Sequence, residues 1–346
     1  MACHGTCAAQ LRLRGFVISY RMKPMNFMTS RRSVTIALTA AAWGLSAPAM
    51  AAAPAQPAHI TVQHAKGTAT VPLKPQRVVV YDLAALDAMQ ALQLPVAGVA
   101  KAQYPDYLAA YADAKYQAAG TLFIPDYEAL SRIQPDLIVV AGRSAAQYEV
   151  LSKIAPTLDL SVNNQRLLDD MERNVTTLSS LWGKQAEGRQ LMARVRGEVD
   201  SLKAVAAQAE PGLLVLAVNR NMSAQPPGAR FGLLHDVLGI KPGIPADPSK
   251  PRGVPVKMED IAKLDPAWIY VIDRNAGTGT QTDKDGKPVV PSKQLFDNAQ
   301  IRATQAGQKG RVVFLDPKGW YLLGSAGPTA MLRNVGEIKG ALQAGR

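Results

Sequence analysis

The sequence predicts an α/β protein built from two βα lobes joined by a long, rigid linker helix. Three observations carry this reading. One sixteen-residue unit is made twice, as E-A-L-S-R-I-Q-P-D-L-I-V-V-A-G-R from Glu128 to Arg143 and as E-D-I-A-K-L-D-P-A-W-I-Y-V-I-D-R from Glu259 to Arg274. Val/Ile-rich runs alternate with helical stripes both before and after the middle of the chain. From Leu167 to about Gln208 the alternation stops, and only helical periodicity remains.

Each repeated unit opens on a glutamate, carries a proline seven residues later and ends on an arginine fifteen residues after the glutamate. Leu130 and Ile133, like Ile261 and Leu264, keep helical spacing until the proline stops the helix. A buried strand follows. Helix and strand then run antiparallel, which brings the glutamate and the arginine to one end of the lobe. In open α/β sheets ligands bind at the carboxyl ends of the strands, so two such units imply two lobes facing one cleft.

Residues 1–51 are expected to be a signal peptide with an over-extended start. Arg31-Arg32 precede an apolar run from Val34 to Ala47, and Ala49-Met50-Ala51 has the small-x-small form of a cleavage site. The run is too short for a spanning helix, which needs about 20 apolar residues. Met22, Met25 or Met28 would each start an ordinary leader, and Sec export fits better than the weak twin-arginine match at Ser30-Arg31-Arg32. Both cysteines, Cys3 and Cys7, would be lost with it. That excludes disulfides, a thiol nucleophile, a cysteine metal site and a lipid anchor from the mature chain, and predicts a soluble periplasmic protein. The leader holds six Lys/Arg and no Asp/Glu of the chain's 39 and 27, so the mature charge is +6 rather than +12. Without basic runs, nucleic acid is excluded as a partner.

Past a Pro/Ala linker, the N-terminal lobe is expected over residues 59–166. A short strand starts at His59 and closes at a Gly67 turn. Arg77–Asp82 is a buried strand, Leu83–Leu92 a helix and Pro95–Val99 a second strand; the first Glu–Arg unit, a helix over Tyr148–Ile154 and a strand at Leu158–Leu160 follow. The linker, 167–210, holds one stripe of Leu168, Met171, Val175, Leu178 and Trp182 and another of Leu191, Val195, Val199 and Leu202, parted by Gly183. The C-terminal lobe, 211–346, restarts with a strand at Leu213–Val218 and a helix at Phe231–Leu238. The second Glu–Arg unit, a polar loop over Asn275–Pro291, a helix, the strand Val312–Asp316 and a last helix over Thr329–Leu342 complete it.

Chemistry is expected from arginine. Arg143 and Arg274 end the repeated units, Arg230 stands in P-P-G-A-R-F-G ahead of a helix, Arg252 lies in K-P-R-G-V-P, and Trp320-Tyr321 follow the last strand. A lone arginine is usually a solvated surface charge, but a strand end has no structural need for one, and here it occurs twice. Guanidiniums stay charged, fork onto oxygens and stack on aromatic faces, so a cluster suits a multiply anionic aromatic ligand. Two unit charges 5 Å apart interact by roughly 3 kcal/mol at an effective dielectric near 20. His59 and His64 belong to the first strand and its turn, and His235 reads as a core or capping residue. No GxSxG elbow, P-loop or paired-histidine motif supports an enzyme. Glu128 and Glu259 would favour their helix dipoles in any case, a reading as good as partner docking.

From about Ile60 to Leu342 the chain resembles the periplasmic substrate-binding proteins of siderophore ABC transporters, nearest to the ferric-catecholate branch of enterobactin- and petrobactin-type binders. The resemblance rests on K-P-Q-R-V-V-V-Y-D-L-A-A-L-D, D-L-I-V-V-A-G-R, S-K-I-A-P-T, G-A-R-F-G-L-L-H-D-V-L-G-I, I-Y-V-I-D-R-N and F-L-D-P-K-G-W-Y-L. It implies the helical-backbone fold of that family, a ferric siderophore as ligand, no cofactor, no enzymatic activity and a monomer. It further implies that Arg143, Arg230 and Arg274 hold the ferric complex, with Arg252 and Trp320 beside them. Glu128 and Glu259 would engage the inner-membrane permease, and Tyr321 matches a tyrosine that binds iron directly. Where that subgroup pairs the tyrosine with a histidine, this chain has Arg252, so ligation by Tyr321 alone, or none, is expected. The rival readings are a haem or corrinoid binder on the same fold and, from another class, a periplasmic enzyme or metallochaperone.

Overall fold

A computed structural model describes residues 59–345; the expected signal peptide lies outside them. The described residues open with an antiparallel hairpin, β1 (His59–His64) and β2 (Gly67–Pro72). A five-stranded parallel sheet follows, made of β3 (Val78–Val80), β4 (Gly98–Lys101), β5 (Gln117–Thr121), β6 (Leu137–Val140) and β7 (Thr157–Asp159), in the order β5-β4-β3-β6-β7. Helices α1 (Leu83–Ala91), α2 (Tyr127–Ile133) and α3 (Tyr148–Leu151) connect its strands.

Two helices leave this lobe, α4 (Leu167–Leu181) and α5 (Gln185–Ala206). The stripe expected on α5 is buried in full, whereas on α4 Leu167 and Leu181 are buried where Leu168 and Trp182, only partly buried, were expected; the 22 residues of α5 span about 33 Å. Arg196 of α5 ties the pair by bonding Asp169 at 2.8 Å and Glu172 at 2.6 Å on α4.

The second sheet is mixed. Its strands are β8 (Gly212–Val218), β9 (Asn221–Ala224), β10 (Val254–Val256), β11 (Trp268–Asp273) and β12 (Val312–Phe314), in the order β10-β9-β8-β11-β12. Around them lie α6 (Leu233–Asp236), α7 (Met258–Leu264), α8 (Arg274–Thr278), the short α9 (Ser292–Phe296), α10 (Ala299–Ala303) and α11 (Gln305–Gln308), and the closing α12 (Pro328–Ala344). A π-helical turn occupies Lys318–Leu322.

The apolar residues form three cores. The largest is shared by α1, α4, α5, α12 and the facing sides of both sheets. Smaller ones lie under α2 and α3 on the outer face of the first sheet, and under α7 and its neighbours on the outer face of the second.

The repeated units fold alike down to their turns. Helix α2 ends at Gln134 with φ +49°, α7 at Asp265 with φ +44°, and a proline follows each. Several expectations need correction. The loop expected over Asn275–Pro291 begins inside α8, the single helix expected after it is the three short helices α9, α10 and α11, and the helix expected over Tyr148–Ile154 is the single turn α3. The helix expected over Phe231–Leu238 is a single turn, α6, because Gly239 turns at φ +79° and His235 Nδ1 spends its hydrogen bond on the Ile240 carbonyl. The strand expected at Pro95–Val99 begins only at Gly98.

Candidate functional site

Sheet order explains where the repeated arginines fall. In the first sheet the connections run outward from β3 through β4 to β5, then return to β6 on its other side. The crevice between the carboxyl ends of β3 and β6 is therefore a topological switch point, the usual seat of a ligand in an open α/β sheet. Asp82 follows β3 and Arg143 follows β6. The second sheet repeats the arrangement between β8 and β11, and Arg274 follows β11 directly.

Arg143 sits on a tight turn. Gly142 takes φ +47°, the Ser144 amide returns to the Ala141 carbonyl at 2.9 Å, and the Gly142 amide donates to Ser161 Oγ at 3.0 Å. Its guanidinium donates to the Leu322 carbonyl at 2.8 Å and the Tyr321 carbonyl at 3.0 Å, crossing from one lobe to the other. Arg230 is held through its backbone: its amide donates to the Pro251 carbonyl at 2.8 Å, and its carbonyl accepts from Asn164 Nδ2 at 3.0 Å. The Arg230 guanidinium lies 4.9 Å from the Phe231 ring centre and 5.5 Å from that of Tyr321. Arg274 begins α8, whose N-cap Asp273 accepts from the Ala276 amide at 3.0 Å. A Cβ on Gly277 would stand 2.7 Å from the Pro317 carbonyl, so only glycine lets α8 pack this close to the π-helical turn. Arg274 lies near enough to the Tyr321 phenol to lower its pKa.

Three cations thus meet at one tyrosine. Burial pushes the Tyr321 phenol up, but the Arg274 hydrogen bond and the charges of Arg230, Arg274 and Arg143 outweigh it, and its pKa falls below the ordinary tyrosine value. Burial pulls the Arg143 guanidinium below its own ordinary value.

Arg143, Arg230 and Tyr321 line a cavity of about 190 Å³ between the lobes and α4, and Arg274 approaches Tyr321 from outside that lining. Its lining is polar at Asp82, Ser161, Asn164 and the Arg143/Arg230/Tyr321 group and apolar at Ala88, Val175, Leu178 and Pro328. Sites for drug-sized ligands run to about 300–1,000 Å³. A ligand of that class requires the interlobe bonds of Arg143 and Asn164 to open.

The other expected residues lie elsewhere. Trp320 does not face the cleft: it is fully buried, and its indole N–H donates to Glu337 Oε2 at 2.9 Å. The π-helical turn sends neighbouring side chains opposite ways, Tyr321 into the cleft and Trp320 into the core beneath it. Arg252 is exposed and outside the cavity lining, its carbonyl accepting from the buried Gln225 at 3.1 Å. Glu128 and Glu259 stand in the first turns of α2 and α7, both exposed, and Glu128 makes only a loose 3.9 Å ion pair with Arg132. Sequence reasoning passed over Asn164, for which it offers no signal. It also passed over Asp82, although an aspartate between a strand and a helix marks an N-cap; Asp82 Oδ1 accepts from the Ala84 and Ala85 amides at 2.9 Å.

Among the described residues no cluster of His, Cys, Asp and Glu could hold a metal ion, and no helix is long and apolar enough to cross a membrane.

Comparison with known proteins agrees with this architecture. The chain is 32% identical over 289 residues to the petrobactin-binding protein YclQ of Bacillus subtilis, covering 82% of this chain and 88% of that one. It is 30% identical over 269 residues to the ferric-anguibactin-binding protein FatB of Vibrio anguillarum, covering 76% and 81%. Among solved structures, YclQ superposes with a TM-score of 0.76 at 31% identity, covering 82% of this chain and 99% of that one. The catecholate-siderophore-binding protein VctP of Vibrio cholerae superposes at 0.74 with 28% identity over 82% and 99%. The periplasmic binding protein family model matches residues 78–318, and the chain belongs to that family.

Proposed function

We propose that this chain is a periplasmic receptor that captures a ferric siderophore, of catecholate type, between its lobes and delivers it to an inner-membrane ABC permease. The observation that carries the reading is the convergence on Tyr321 of Arg143 and Arg230, which line the interlobe cavity, and of Arg274 from outside its lining. A ferric catecholate is a multiply charged anion with aromatic rings, and this group offers forked donors beside the Tyr321 and Phe231 faces. The ligands named for YclQ, FatB and VctP support the same class. The chain acts as a monomer and as a binder rather than an enzyme, and iron is its cargo. Glu128 and Glu259, one exposed carboxylate per lobe, serve as docking points for the permease.

Tyr321 is the side chain of the cleft that we assign to reach the iron itself. Its lowered pKa favours a phenolate when a chelator leaves coordination sites open, and Arg252 offers no second ligand. A hexadentate chelator would leave Tyr321 as a hydrogen-bonding and stacking partner.

Titration of the protein with ferric petrobactin, ferric enterobactin, a tetradentate ferric bis-catecholate, ferrichrome and haem, followed by intrinsic fluorescence, tests the reading. Tight quenching by one or more catecholates is expected. Quenching by haem or ferrichrome alone would overturn it.

A further inference from the structure

Six large apolar side chains stand well exposed among the described residues; one, Leu264 at the end of α7, lies in the C-terminal lobe, and the other five share one layer of the N-terminal lobe. Phe123, Ile124 and Tyr127 are 58%, 67% and 48% exposed, and lie on or just before α2, beside Glu128. Val150 and Ile154, each 45% exposed, belong to the α3 segment in the same outer layer.

The loop that carries Phe123 and Ile124 is built to hold them there. The amides of both donate to Thr121 Oγ1, at 3.2 and 3.0 Å, and the Thr121 amide closes the turn on the Ile124 carbonyl at 2.8 Å. Gly120 bridges to Pro125 at φ +114°, where a Cβ would stand 2.4 Å from the Ile124 carbonyl. Gln147 Nε2 donates to the Phe123 carbonyl at 3.3 Å from the α3 side. The backbone is pinned from three directions, while the side chains it presents have no core to enter. Preorganised apolar projections of this kind lose little entropy when a partner covers them.

We propose that this knuckle, Phe123 and Ile124 with Tyr127, is a docking element that enters an apolar recess of the permease subunit facing the N-terminal lobe, next to the basic pocket that receives Glu128. The proposal rests on the receptor reading above. Charge selects the occupant. The segment from Thr121 to Ala129 holds Asp126 and Glu128 and no lysine or arginine, and the Glu128 side chain is 91% exposed. Anionic lipid surfaces attract basic segments and would repel this one. A basic protein surface with an apolar hollow complements it.

The test uses cells of the source organism in which the gene is deleted and restored as the parent, as Phe123→Ser/Ile124→Ser or as Glu128→Arg/Glu259→Arg, with uptake of radioactive iron supplied as ferric petrobactin. The serine pair is expected to cut uptake at least tenfold while leaving melting temperature and ferric petrobactin affinity at parental values. Normal uptake by the serine pair beside failed uptake by the arginine pair would overturn the knuckle and leave the receptor reading standing. Normal uptake by both, or none by the parent, would remove the docking reading and this proposal with it. Neither parent nor variant is expected to sediment with protein-free phosphatidylethanolamine–phosphatidylglycerol vesicles; sedimentation of the parent alone would assign the knuckle to lipid and overturn the proposal.

Discussion

Arg143 holds Tyr321 twice: its guanidinium donates to the tyrosine's own carbonyl at 3.0 Å and lies 5.6 Å from the centre of its ring. Backbone and side chain of the residue at the centre of the cleft are thus engaged by one cation from the opposite lobe. The donors spent on the Tyr321 and Leu322 carbonyls are the ones an anionic ligand needs. On the proposed reading, binding would be an exchange, in which ligand oxygens replace two backbone carbonyls as the acceptors of the same N–H groups.

Reversing the charge of this grip should be felt mainly by the ligand. Arg143→Glu/Arg274→Glu is expected to weaken ferric catecholate binding at least a hundredfold, about 3 kcal/mol, since two attractive charges become repulsive. Both side chains are only partly buried, so the melting temperature should stay within a few degrees of the parent. Unchanged affinity by fluorescence titration would remove these arginines from the site.

The phenol of Tyr321 should ionise early. Burial raises Tyr81, Tyr104, Tyr107, Tyr111, Tyr148 and Tyr270, whereas the three arginines carry Tyr321 below its ordinary value. Ultraviolet difference absorbance should resolve a first phenolate phase that Tyr321→Phe abolishes and Arg274→Gln moves to higher pH. Because the folded value is the lower one, this ionisation favours the fold. Its contribution is complete above the unfolded pKa and is lost as pH falls through the folded pKa. A first phase that survives Tyr321→Phe would refute the assignment.

The repeated unit was legible because its grammar is local: helical spacing, a proline stop, a Val/Ile strand and an arginine. The sheet then turns that grammar into position, by placing both arginines at switch points. Strands β5, β9 and β10 were not legible. Their Q-A-A-G-T, N-M-S-A and V-P-V runs have weak strand preference and exist because neighbouring strands pair with them. Trp320 misled for a different reason. A single π-helical turn decides which of two adjacent aromatics lines the cavity, and no spacing rule in the sequence announces it.

Burial makes Trp320 a reporter rather than a contact. It lies under Tyr321, which lines the cavity, while Trp268 begins β11, about 20 Å along the strand from Arg274. Trp320→Phe should remove more of the ligand-induced quenching than Trp268→Phe or Trp182→Phe, and leave affinity nearly unchanged. Stability should fall by about 2 kcal/mol, from lost packing and a Glu337 carboxylate deprived of its indole donor. Equal loss of quenching in all three variants would place the ligand elsewhere.

The lobes are also joined by a helix cap supplied from outside the helix. Asp87 of α1, fully buried, accepts from the amides of Thr329 at 3.0 Å and Ala330 at 2.8 Å, in the first turn of α12, and from the Tyr107 hydroxyl at 2.9 Å. The position that would ordinarily cap α12 is Gly327, which has no side chain, and a Cβ there would stand 2.3 Å from Asp87 Oδ2. The carboxylate of one lobe occupies the place of the other lobe's cap. Asp87→Ala strands buried donors at a helix end and should cost about 3 kcal/mol. Asp87→Asn keeps one acceptor and should cost less. Burial raises the Asp87 pKa, so the folded protein holds this proton to higher pH than the unfolded chain does. The term therefore weakens stability as pH rises from the unfolded carboxylate value through the folded one, opposite to a salt-bridged aspartate. Asp87→Ala should erase that slope, and Gly327→Ala, strongly destabilising in the parent, should be milder in the Asp87→Ala background. Additive losses in denaturant melts of the two single variants and the double variant would show that the two positions do not share one cap.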